Sequence, residues 1–288
     1  MLVPEQFTMQ TQKEFVMRHP RHGIMNIDVL SFERLAYRIL EETGGADKIV
    51  LDDEGKNFVL RKVAAGKVES LRVLGANVRK PGYISEVKSV ISELAQYDVK
   101  ANEMTPMLEA APEHSYLYYK LMDIQTLYQA FEDYLEEKYI TREELLELLC
   151  SQMGKSRILK NAVVAMDGFT GFTPIQNKVL GELLACCETV YVTVTIDLKE
   201  DPYRYEDKYQ LFALSKQMVH ALTEICRERK IEVREVRMPN NPVYRFCERP
   251  ALGWMEKYLF RYPMRQYKEK QDNIRIYVSR SPKEEVDM

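Results

Sequence analysis

Apolar and polar positions recur with two different periods along this chain, and the change of period divides it. Phe7 to Arg18 is helical in pattern. Ile24 to Leu30 (IMNIDVL) reads as a strand. Phe32 to Glu42 repeats at three and four residues and puts Phe32, Leu35, Ala36, Ile39 and Leu40 on one face, with Ser31 as N-cap and Gly44-Gly45 as terminator. From residue 52 to 160 the pattern is almost wholly helical, over Asp53–Ala65, Tyr83–Tyr97, Ser115–Lys138 and Thr141–Gln152, punctuated by Pro81-Gly82, Pro106 and Pro112. Strand and helix then alternate again. Ala162–Met166 (AVVAM) is a short buried strand, and Pro174–Cys187 is a helix. Thr189–Ile196 (TVYVTVTI) is the clearest strand of the chain; Leu211–Arg229 is a helix and Ile231–Val236 a strand. A last helix near Ala251–Phe260 and a strand, Ile274–Val278, follow.

This order predicts an α/β fold: a doubly wound parallel sheet flanked by helices and interrupted by an all-helical insertion. The predicted parts are 1–51 (first part of the α/β core), 52–160 (helical insertion), 161–240 (second part of the core) and 241–288 (the start of a further subdomain). Leu2 and Val3 read as the tail of a strand closed by Pro4. At the far end Ser281, Pro282 and Glu284 read as the opening of a helix, so the sequence looks like a piece of a longer protein. Tyr116, Tyr118, Tyr119, Tyr128 and Tyr134 crowd one helix, a spacing that favours core and interface packing over a base-stacking platform.

Composition narrows the function classes. Lys and Arg number 41 against 44 Asp and Glu over 288 residues, a formal net charge of −3, which excludes a polybasic binder but not a local nucleic-acid groove. No run of apolar residues is long enough to span a membrane, and the opening MLVPEQFTMQ lacks the basic and apolar regions of a signal peptide. The five cysteines are odd in number and form no C-x-x-C pair, so they read as reduced thiols of a cytoplasmic protein rather than a disulfide or metal framework.

Most candidate motifs fail on their own chemistry. Met153-Gly154-Lys155-Ser156 resembles the end of a P-loop, but Leu149 stands where the loop needs glycine. Asp167 directly follows the AVVAM strand, where an aspartate can hold Mg²⁺. The next residue is Gly168, not the glutamate that positions an attacking water, and no second carboxylate makes a D-x-D phosphatase motif. An ordinary loop or capping aspartate is the competing reading. His19, His22, His114 and His220 are scattered, and the acidic pairs Asp52-Asp53, Glu136-Glu137 and Glu143-Glu144 look like solvated helix starts.

What remains is a set of polar and aromatic residues just after predicted strands. Glu5, Gln6 and Thr8 follow the first, Phe32, Arg34 and Tyr37 the second, and Phe169, Thr170 and Phe172 the third. In a parallel sheet such positions share one edge, where ligands bind. Aromatic faces stack on unpaired bases, arginine pairs with phosphate or guanine, and glutamine can read a base edge. Ordinary capping and packing would account for the same residues.

Three stretches carry a resemblance: LVPEQFT (2–8), VLSFERLAYRIL (29–40) and MDGFTGFTPIQ (166–176), with ERPALGWMEKYLF (248–260) further on. Together they resemble the N-terminal region of the AddB (RexB) family, which belongs to bacterial ATP-dependent helicase–exonucleases. The resemblance implies a superfamily 1 helicase-like, P-loop NTPase-like fold. LVPEQ, VLSFERLAYRIL, MDGFTGFT and VYVTVTID would be its motifs Ia, Ic, II and III, and 52–160 its helical 1B subdomain. It implies an inactivated motor that scans single-stranded DNA for a Chi-type sequence during double-strand break repair, with Asp167-Gly168 a degenerate motif II. Gln6, Thr8, Phe32, Arg34, Tyr37 and Phe169 would be the DNA-binding positions; Tyr37 stands where relatives can carry tryptophan. The partner would be the AddA helicase–nuclease, in the bacterial cytoplasm. The family's ATP/Mg²⁺ site and its 4Fe–4S nuclease domain would lie outside this sequence, so no catalytic residue and no cofactor is assigned within it. Two alternatives stay open: an ATP-binding and hydrolysing P-loop domain in the full-length protein, or a docking module for AddA.

Overall fold

The computed structural model describes residues 1–45, 48–78, 80–135, 138–238 and 244–287. Its α-helices, in chain order with its strands, are α1 (Thr8–Arg18), α2 (Phe32–Thr43), β1 (Ile49–Val50), α3 (Asp53–Lys67), α4 (Pro81–Gln96), α5 (Thr105–Ala110) and α6 (Tyr116–Leu135). There follow β2 (Tyr139–Ile140), α7 (Arg142–Met153), β3 (Val163–Met166), α8 (Pro174–Cys186), β4 (Thr189–Val192), α9 (Ala213–Glu228), α10 (Pro250–Tyr258) and α11 (Pro282–Val286). The architecture is α/β, mostly helical, with small parallel sheets.

Several helices start where a side chain satisfies the first free N–H groups. Ser31 accepts from the Arg34 amide at the head of α2, and Asp52 accepts from Gly55 N at the head of α3. Thr141 with Glu144, and Thr173 with Gln176, form reciprocal capping boxes at α7 and α8. Five of the twelve residues of α2 are buried, the five that periodicity places on one face. Gly44, at φ +79°, ends the helix by returning its N–H to Leu40 O at 2.9 Å.

The central sheet is small but ordered. β3 and β4 pair in parallel, Val163 with Thr189 through Met166 with Val192. Leu2 bridges in parallel to Met166 on one side and to Leu30 on the other, through Leu2 N–Ala165 O (2.7 Å), Val3 N–Leu30 O (3.0 Å) and Asp167 N–Leu2 O (3.0 Å). Numbered along the chain, the four segments lie in the order second, first, third, fourth. The direction of winding therefore reverses between Leu2-Val3 and β3, which is the switch point of an open α/β sheet.

Several predicted strands are shorter than the pattern suggests or absent. Of 24–30 only Leu30 is bridged, and the strand at Thr189 stops at Val192. Ile231–Val236 and Ile274–Val278 are not strands: Val236, Ile276 and Val278 are exposed, and no segment among the described residues supplies a ladder. β1 and β2 form a two-residue parallel pair that hydropathy does not predict. The predicted boundary near 240 and the Glu136-Glu137 pair lie outside the described residues.

Among the described residues, two apolar clusters hold the chain. One gathers α3, α4 and α6 around Leu60, Leu74, Ile91, Leu127 and Phe131. The other joins Leu2 and Met166 to α2, α7 and α8 through Ile39, Leu149 and Leu180. α7, within the predicted helical insertion by sequence, thus packs on the sheet side. Of the tyrosine stripe only Tyr128 is core, its hydroxyl donating to Val99 O at 3.1 Å; Tyr116 is exposed.

Glu42 closes the sheet-side unit. At the end of α2 its carboxylate accepts from the Ser156 hydroxyl and from the amides of Arg157 (2.8 Å) and Ile158 (3.2 Å), which holds its carboxyl below the ordinary value of 4.5. A carboxyl lowered by folding stabilises above its unfolded pKa, and that contribution is lost as pH falls through the folded value. Glu42→Gln should therefore lower the melting temperature at pH 7 and flatten its fall below about pH 4.5. Parallel acid limbs for the two proteins would show that the tether contributes nothing.

Candidate nucleic-acid interface

The carboxyl ends of the parallel segments meet at the switch point. After Leu2-Val3, Pro4 leads into a single 3₁₀ turn, Glu5–Phe7, and then α1. Thr8 is buried and its hydroxyl donates to Glu5 O at 2.9 Å, so it locks the turn. Gln6 is exposed, and its amide is engaged by no described residue.

Phe32 is buried rather than presented. Its ring lies 5.5 Å from Phe169 at 61° and 6.3 Å from Phe172 at 87°, and Phe169 lies 5.2 Å from Phe172. These edge contacts fasten the second strand end to the third. Phe169 is half-buried and keeps part of its surface at the edge, beside exposed Thr170.

Arg34 and Tyr37 lie one turn apart on the outer face of α2, both exposed. Arg34 Nε donates to Glu5 Oε1 at 3.0 Å. A hydrogen bond from Ser31 and the Arg34 guanidinium hold the Glu5 carboxyl below its usual range against a partial desolvation. Glu33 pairs with Arg142 at 3.5 Å. Partial burial and the Glu33 charge push the Tyr37 phenol up.

Asp167 and Gly168 occupy the centre of the edge. The Thr193 hydroxyl donates to Asp167 Oδ1. Gly168 has φ +79°, and an added Cβ would lie 3.5 Å from Pro4 Cδ. That is ordinary contact, but the left-handed backbone favours glycine, so a glutamate here would carry backbone strain. The local backbone itself disfavours the residue that a hydrolytic motif II requires.

Sequence reasoning placed Gln6, Arg34, Tyr37 and Phe169 at an edge; in the structure the Glu5–Arg34 and Phe32–Phe169 contacts join the three segment ends that carry them, and Thr8 and Phe32 are buried. It missed Thr193 and Arg142. Thr193 follows β4 as Asp167 follows β3, so parallel register would have found it. Arg142 stands in the first turn of α7, and only the packing of α7 against α2 brings it to Glu33.

Among the described residues no group of three or more His, Cys, Asp or Glu is placed to hold a metal ion. Burial pushes the Cys150 and Cys187 thiols up to about 11, so both are protonated at neutral pH. No described helix is long and apolar enough to cross a membrane.

The fold and this edge define a class: an α/β protein with parallel strands whose polar and aromatic side chains converge at the switch point, where such sheets take ligands. Residues 1–256 match the family model described as ADDB, N-terminal, and the chain belongs to that family. Curated relatives, each named as the B-type component of an ATP-dependent helicase/deoxyribonuclease, match along nearly the whole chain. The Lachnoclostridium phytofermentans protein is 46% identical over 289 residues, covering 99% of this chain and 25% of the relative. Those of Desulforudis audaxviator and Clostridium novyi are 34% and 31% identical, covering 99% and 100% of this chain. The chain spans about a quarter of the length of these relatives.

Proposed function

We propose that this chain is the helicase-like, non-hydrolysing part of the AddB component of an ATP-dependent helicase–deoxyribonuclease acting in double-strand break repair. It binds single-stranded DNA along the carboxyl edge of its sheet and scans it for a Chi-type sequence, in the cytoplasm, while AddA supplies the motor. The observation that carries this reading is that the three segment ends bearing Gln6, Arg34 and Phe169 adjoin one another, Glu5 bonding Arg34 and Phe32 packing on Phe169. Phosphate contacts would position the strand, Phe169 and Tyr37 would stack on splayed bases, and Gln6 and Arg34 would read base edges. Asp167, engaged by Thr193 and followed by Gly168, fits a structural role here better than a hydrolytic one.

Fluorescence anisotropy with a labelled mixed-sequence oligonucleotide, in EDTA and without ATP, tests this on the intact protein. Arg34→Ala and Phe169→Ala should each weaken binding by roughly 5- to 100-fold, the size of one base contact or one stacked base. Unchanged affinity in both variants would remove the sheet edge as the DNA site and favour a docking module instead.

A further inference from the structure

The Glu5–Arg34 pair gives this edge a property that neither residue has alone. Glu5 belongs to the turn after the first strand and Arg34 to α2 after the second, so their contact spans the two strand ends. Arg34 Nε meets Glu5 Oε1 at 3.0 Å, and both side chains are about half exposed, 55% and 56%. The Ser31 hydroxyl, buried at the helix start, also favours the charged Glu5 carboxylate. Arg142, the next cation, is taken by Glu33.

An arginine in such a pair keeps donors but loses most of its pull on phosphate. One of its five N–H groups is committed to the carboxylate, and the others stay free in a fixed plane. Phosphate binding draws its strength from net charge and the counterions released, and a neutralised guanidinium releases few. Recognition of guanine O6 and N7 uses two parallel N–H donors and depends on orientation. We propose that Glu5 is a specificity-determining residue: by neutralising and orienting Arg34 it turns that side chain from a phosphate anchor into a reader of guanine edges in single-stranded DNA. This rests on the DNA-binding reading above.

Glu5→Gln tests it, because the amide keeps the shape and removes the charge. Binding of the intact protein to guanine-containing and guanine-free oligonucleotides of equal length is measured across a salt series, for wild type, Glu5→Gln, Arg34→Ala and the double variant. Glu5→Gln should tighten binding to both oligonucleotides about two- to fivefold, the range of an exposed ion pair. It should steepen the log–log salt dependence by about 0.7, one added phosphate contact to a single strand. The preference for the guanine-containing strand should shrink, and in the Arg34→Ala background Glu5→Gln should change nothing. Weaker binding by Glu5→Gln, or an unchanged salt slope and base preference, would overturn the proposal while leaving DNA binding intact. No binding by any of the four proteins would overturn both this proposal and the DNA-binding reading.

Discussion

Asp123→Ala should be the most damaging single substitution outside the apolar core, costing about 4–5 kcal/mol. Asp123 lies in α6, only 2% exposed, and its carboxylate accepts from three consecutive amides: Arg72 N (2.9 Å), Val73 N (2.7 Å) and Leu74 N (2.8 Å). Those amides begin the connection from α3 to α4 and have no helix or strand to satisfy them. Bonds to an ionised acceptor contribute roughly 1.5–3 kcal/mol each, and removing the acceptor strands three donors beside buried Leu74. Asp123→Asn keeps one carbonyl oxygen and should fall between the two. Chemical denaturation gives the magnitude, and amide exchange at 72–74 locates it. A loss below about 1 kcal/mol, with protection at 72–74 retained, would show that water replaces the carboxylate.

Lys56→Met should cost about 3–5 kcal/mol, through the carboxylate it abandons more than through the contact it loses. Lys56 is 3% exposed; its Nζ reaches Glu143 Oε2 at 3.1 Å and Ser92 Oγ at 3.4 Å. The pair crosses from α3 to the first turn of α7, joining the helical cluster to the sheet-side cluster. Beside it lies a cavity of about 50 Å³, also lined by Asp98, Glu132 and Glu147, in which burial raises the Glu132 carboxyl. An unpaired Glu143, 12% exposed, would be left with little water in a cavity whose lining carries Lys88 and Lys100 as well as the acids. The double variant Lys56→Met/Glu143→Leu should regain most of the loss, since a buried pair rarely exceeds an apolar replacement of similar volume. Thermal melts of the two variants decide this. Equal losses would mean that packing around Lys56, and not charge, sets the cost.

Hydropathy read the helices best where a physical signal in the chain bounds them: Ser31 and Gly44 around α2, Pro81 at α4, Pro174 at α8. It read strands poorly, because a strand is completed by a neighbour that local sequence does not contain. Ile274–Val278 has the residues of a strand and no ladder among the described residues, while Ile49-Val50 has two residues and a partner ninety positions away. α7 reads as a helix of the 52–160 insertion, but periodicity does not say which body its Leu145, Leu149 and Met153 stripe packs on, and that is the sheet-side cluster. At the edge, the identity and order of the strand-end residues were legible. Their depth was legible only in part: periodicity puts Phe32 on the buried face of α2, but nothing in the sequence separates buried Thr8 from exposed Gln6 until the turn after the first strand is in place. Asp123 was invisible, since a carboxylate on a tyrosine-rich helix looks like any solvated acid until the loop that needs it is in place.

The middle position of Leu2-Val3 in the sheet also bears on how the protein is made. Its two neighbours are Leu30 and Met166, so the ladder that positions this sheet edge joins residues more than 160 apart in sequence. At ribosomal speeds of about 5–20 residues per second, the nascent first strand waits on the order of ten to thirty seconds for β3 to emerge. The helical cluster between them needs only contacts within its own stretch and can close meanwhile. It then brings α7 and β3 back toward the waiting strand. The sheet edge is thus completed late, and folding of the helical cluster first would shorten the loop that its first segment must close.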